Sequence, residues 1–81
     1  SKQAYKFAKQ HELFSSVREE IHKFLLKMIG VTINLDVKRL KGNWEGFLRI
    51  RKGRLRIILT VDEQNKIIYI DKIDFRGSVY K

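Results

Sequence analysis

This sequence predicts an α+β fold, with two N-terminal helices packed on one face of a small antiparallel β-sheet. Three observations lead there. Apolar side chains recur at helical spacing up to Gly30, they alternate with polar ones in the second half, and glycine or polar turn residues separate the alternating runs. Strands joined by such short turns pair antiparallel, and an antiparallel sheet needs a cover on only one face. The 81 residues contain no proline, internal repeat or low-complexity tract, so residues 1–81 are read as one domain.

The first helix runs from Lys2 to about Leu13, with Ala4, Phe7, Ala8 and His11 on one side. Ser16-Val17-Arg18-Glu19 has the form of a capping box, which starts the second helix there. Behind it Val17, Ile21, Phe24, Leu25, Met28 and Ile29 form an apolar stripe, and Gly30 is a natural stop. Val31, Ile33, Leu35 and Val37 alternate as a strand would, or serve as an extended connector laid over the core. Three strands follow at 47–51, 54–61 and 66–73, with Asp62–Asn65 as the second turn.

Between the first two of those strands lies Arg49-Ile50-Arg51-Lys52-Gly53-Arg54-Leu55-Arg56. A two-residue loop at Lys52-Gly53 sets Arg51 against Arg54 and Arg49 against Arg56, with Ile50, Leu55, Leu48 and Ile57 on the other face. Like charges directly opposite destabilise a sheet by up to roughly 1 kcal/mol. Stacked arginine pairs therefore point to an anion on that face. The competing reading is a solvated face whose guanidiniums pair with Glu45, Asp62, Glu63 or a helix carboxylate.

Overall charge agrees with an anionic partner. The chain has 18 Lys/Arg against 9 Asp/Glu, a formal net charge of +9. From Lys38 onward there are 12 Lys/Arg to 5 Asp/Glu, so the basicity lies on the strands rather than on an amphipathic helix. No apolar run approaches the roughly 20 residues needed to cross a bilayer, which argues against a membrane protein. Cysteine is absent, which fits the cytoplasm, and no Cys/His cluster marks a metal site.

Taken in order, several segments resemble the RelE/ParE toxin superfamily. These are Leu40-Lys41-Gly42, the arginine hairpin through Ile58, Ile68-Tyr69-Ile70, and Phe75-Arg76-Gly77-Ser78-Val79-Tyr80. The resemblance covers nearly the whole chain and rests on order and spacing rather than on one motif. It implies a cytoplasmic toxin neutralised by a cognate antitoxin, with operator DNA bound only through that antitoxin. In the RelE branch such a toxin is an mRNA interferase, an endoribonuclease cutting messenger RNA on the ribosome. In the ParE branch it inhibits DNA gyrase. The strand that usually precedes the family's first helix is missing here, so an open sheet edge is expected. A homodimer, a bound antitoxin segment or a shortened chain would each account for that edge.

RNA cleavage without metal or other cofactor needs the 2′-hydroxyl deprotonated, the phosphorane charge neutralised and the leaving oxygen protonated. Guanidiniums suit the second task. By the resemblance, Arg56 contacts the scissile phosphate, Arg76 acts similarly, Tyr80 orients the reacting nucleotide, and Arg49 replaces a family lysine. Lys41, Arg51, Lys52, Arg54 and Lys72 are the expected RNA-backbone contacts. The chain departs from the family at Phe47 (a lysine there), Phe75 (a histidine) and Lys38 (a glutamate in some relatives). No obvious general base is left, with Tyr80, Glu45 and Asp74 as weak candidates. Gyrase inhibition and a catalytically impaired member therefore stand as alternatives to the nuclease.

Overall fold

The structure is a computed structural model that describes residues 1–75. It is α+β, with two helices over one face of a four-stranded antiparallel sheet. Helix α1 spans Lys2–Gln10 and α2 spans Phe14–Met28. The strands are β1 (Asp36–Arg39), β2 (Leu48–Lys52), β3 (Leu55–Asp62) and β4 (Ile67–Phe75), in spatial order β1-β2-β3-β4. No described helix is long and apolar enough to cross a membrane.

Ser1 caps α1, its Oγ accepting from Ala4 N at 3.2 Å. Both helices end in the same way. After α1, Leu13 N donates to Ala8 O at 2.7 Å and Glu12 N to Lys9 O, with Glu12 at φ 55. After α2, Val31 N donates to Leu26 O and Gly30 N to Lys27 O, with Gly30 at φ 96. These are paired Schellman bonds, which need one left-handed residue each. The first reversal sets the start of α2 at Phe14, so the capping box expected at Ser16 does not form. Leu13 occupies the cap position and Ser16 lies within the helix.

The core joins Ala4 and Ala8 of α1, Val17 and Phe24 of α2, and Ile50, Leu55, Ile57, Leu59 and Ile73 of the sheet. The stripe expected on α2 is used only in part. Its buried residues are Val17, Glu20 and Phe24, while Leu25, Met28 and Ile29 stay exposed beside Val61 and Ile68. Buried Glu20 has Lys23 Nζ and Lys52 Nζ each 3.4 Å from its Oε2, so an ion pair ties α2 to the root of the hairpin. Residues 31–35 form the connector rather than a ladder, and β1 begins only at Asp36.

The hairpin register differs from the expected one. Lys52 pairs with Leu55, so the loop is Gly53-Arg54, and Arg51 faces Arg56 while Arg49 faces Ile58. A Lys52-Gly53 loop of type I′ would force positive φ on lysine. The observed loop asks it only of Gly53, at φ 58, as type II′ allows. The shift is two residues, so every side chain keeps its face.

A bulge in β4 has the opposite effect. Ile58 pairs with Lys72 but Leu59 pairs with Ile70, which leaves Asp71 as the extra residue. Without it, strict alternation would turn Asp71 toward the core and Ile70 outward. With it, Ile68, Ile70 and Ile73 all pack on the core side, while Tyr69 and Lys72 share the outer face. The free edge of β4 is covered by α1. Ser1 N donates to Ile70 O at 2.9 Å and Ser1 Oγ to Asp71 O at 2.6 Å. The Gln3 side chain takes both groups of Ile73, donating to its O at 2.8 Å and accepting from its N at 3.0 Å. At Ile73 the edge of β4 is thus closed by a side-chain amide acting as a strand peptide would.

Candidate nucleic-acid interface

The outer face of the sheet carries the site in two adjoining rows. The first crosses four strands as Asp36, Arg51, Arg56 and Asp74. The second runs Lys38, Arg49, Ile58 and Lys72. The first row runs minus, plus, plus, minus, so its like-charged centre is compensated at both edges. The second has three cations and no carboxylate.

Both aspartates bind their neighbours closely. Asp36 Oδ1 accepts from Arg49 Nη2 at 2.8 Å and its Oδ2 from Arg51 Nε at 3.0 Å. Asp74 accepts two bonds from Arg56, Nε to Oδ1 at 2.8 Å and Nη2 to Oδ2 at 2.9 Å, with Lys72 Nζ at 3.6 Å from Oδ2. Asp74 is buried, whereas Asp36 lies exposed on the edge strand. The arginines therefore do pair within the chain, though with Asp36 and Asp74 rather than with Glu45, Asp62, Glu63 or a helix carboxylate. Two carboxylates of the chain already supply counter-charge to the facing arginines.

Three guanidiniums nevertheless converge on one surface. Arg51 and Arg56 are directly opposite, and Arg49 reaches the same aspartate as Arg51. Arg49 Nε is buried and donates to no described residue. Buried Ile58 beneath them is flanked in its row by Arg49 and Lys72, whose aliphatic stems are suited to cover it. The result is a shallow cationic sheet rather than a closed cavity.

The other sequence-selected residues scatter. Lys72 belongs to the face, and Lys41 is exposed just before the 3₁₀ turn at Gly42–Trp44. Lys52 sits on the helix side, paired to Glu19 and Glu20. Arg54 lies in the hairpin loop with its guanidinium 5.5 Å from the Phe75 ring centre. Phe75 packs edge-on against Phe7 at 5.1 Å and His11 at 5.0 Å, so it belongs with the helix side. Arg76 and Tyr80 lie outside the described residues. Glu45, considered as a base, lines a cleft with Arg39, Asp62 and Glu63. Asp74, the other described candidate, has both oxygens engaged.

Sequence reasoning gave no part to Asp36, took Lys38 only as a departure from the family, and missed the partner role of Asp74. Their signal was positional: each falls on the polar phase of an alternating run whose other phase is apolar. Compared with family models, with curated proteins and with solved structures, the chain matches none.

Proposed function

We propose that this chain is the toxin of a toxin–antitoxin module and cleaves messenger RNA on the ribosome without a metal. The observation that carries the reading is the meeting of Arg49, Arg51 and Arg56 on one open sheet face, beside Lys38 and Lys72. A phosphate entering there meets three guanidiniums held side by side by Asp36 and Asp74, at a surface that α1 and α2 leave uncovered. Arg56 and Arg49 would stabilise charge on the scissile phosphate, with Arg76 and Tyr80 completing the centre. The antitoxin neutralises the chain, operator DNA is bound through that partner, and the place of action is the cytoplasm.

One observation favours a second reading. Asp74 is locked by Arg56 and Glu45 lies apart in its cleft, so no described carboxylate on the face is free to take a proton. A gyrase inhibitor, or a family member without catalysis, needs no such group.

Mapping messenger RNA 5′ ends after brief induction separates these readings. Arg56→Lys is the informative control, because it keeps a cation beside Asp74 and removes the two-pronged phosphate grip. Cuts at fixed codon positions that fade in Arg56→Lys support the nuclease. Growth arrest without cuts transfers the assignment to gyrase, and neither cuts nor arrest leaves an inactive member.

A further inference from the structure

Beyond the two charged rows, the outer face continues into aromatic residues that the core does not use. Thr60 pairs with Tyr69 in the next row, and Leu40 N donates to Phe47 O at 3.0 Å, extending the β1–β2 ladder by one rung. Trp44 stands edge-on to Phe47, with ring centres 5.1 Å apart and planes at 85°. None of Leu40, Trp44, Phe47 and Tyr69 belongs to the core cluster, and the half-buried Leu40 and Phe47 do not pack against it. Tyr69 is 52% exposed and Trp44 39%.

We propose that this end of the sheet is a base-stacking subsite for single-stranded RNA, with Tyr69 as platform on β4 and the Phe47–Trp44 pair across Thr60 in the same row. The inference rests on the RNA-binding reading above and gives it a direction across the face. Residues two apart on one strand face lie about 7 Å apart. A base placed over Phe47 or Tyr69 therefore leaves its sugar-phosphate backbone beside Arg49, Lys38 and Lys72. That pairing of an aromatic platform with a cationic track is how single strands are held irrespective of sequence. The adjoining cationic row carries no carboxylate to repel the strand. The β4 bulge is what makes the platform, since unbroken alternation would put Ile70 outward in place of Tyr69.

The test compares two probes of matched charge, a short oligoadenylate and a base-free polyphosphate, using the single tryptophan, Trp44, as reporter. The parent should bind the oligoadenylate more tightly, with quenching of Trp44. Tyr69→Ala should weaken oligoadenylate binding about tenfold and leave polyphosphate binding unchanged. Tyr69→Phe should restore it, and Lys72→Ala should weaken both probes. Equal parental affinity for the two probes, or no loss in Tyr69→Ala, overturns the subsite while RNA binding by the arginine face stands. Failure to bind either probe overturns both readings together.

Discussion

Asp36 and Asp74 occupy the two ends of one cross-strand row and make nearly the same bonds to arginine, yet their surroundings differ. Asp36 has a side-chain exposure of 44% and shares itself between Arg49 and Arg51 on the edge strand. Asp74 is 4% exposed and takes both bonds from Arg56. An exposed pair is screened by water and contributes roughly 0–1 kcal/mol. A buried charge left without its partner costs about 3–5 kcal/mol. Similar geometry thus makes one pair a structural part of the sheet and the other a surface contact that a ligand can displace. Arg56, the residue most strongly marked for chemistry, is also the partner of the buried aspartate.

The sharpest way to break this contrast is Arg56→Ala. It should lower stability by about 3 kcal/mol, the lower end of that range, because Lys72 Nζ still lies 3.6 Å from Asp74. Urea denaturation reads the change. Replacing both partners in Arg56→Met/Asp74→Leu should bring stability back to within about 1 kcal/mol of the parent, since no buried charge is stranded. If the double variant is as unstable as the single, burial is not what distinguishes the two aspartates. Loss of toxicity in Arg56→Ala alone would therefore not identify a catalytic residue, because unfolding has the same result.

Asp36→Ala should cost less than about 1 kcal/mol. It should also tighten polyanion binding and steepen its salt dependence, because Arg49 and Arg51 lose an internal competitor. Unchanged affinity would mean that Asp36 and the ligand do not share these donors.

The smallest effect concerns a third aspartate. The Asn65 side-chain amide, then the Asn65 backbone N–H, hold the Asp62 carboxyl below the ordinary aspartate range. A carboxyl lowered in the folded state supports folding above its unfolded pKa, about 3.9, and loses that support as pH falls through the lower folded value. Asp62→Asn should therefore flatten the acid limb of the stability profile below about pH 4, with little change at neutrality. An identical acid limb in the variant would remove Asp62 from the account.

Much of the fold was legible because alternation has a period of two and helices a period near 3.6. The faces of Arg49, Ile50 and Arg51 followed from parity alone and survived a register shift of two residues. The shift itself escaped because both two-residue loops contain Gly53, and only the φ each asks of Lys52 tells them apart. The bulge left only a trace in the chain: apolar positions at 68, 70 and 73 do not fit strict alternation, but that pattern does not say which residue is extra. On the outer face, the cluster of arginines was readable but their partners were not.

By itself the sequence determined the α+β class, which side of each strand is polar, and a strong positive charge concentrated on the strands. These depend on local periodicity and composition, which need no knowledge of distant neighbours. Only the tertiary structure decided that Asp36 and Asp74 bracket the arginines and that Glu20 is buried against Lys52. It also decided that Gln3 closes the edge of β4 and that Tyr69 joins the cationic face. Each of these brings together residues 13 to 70 positions apart, and such pairings are set by register, bulge and helix placement, which no local pattern specifies.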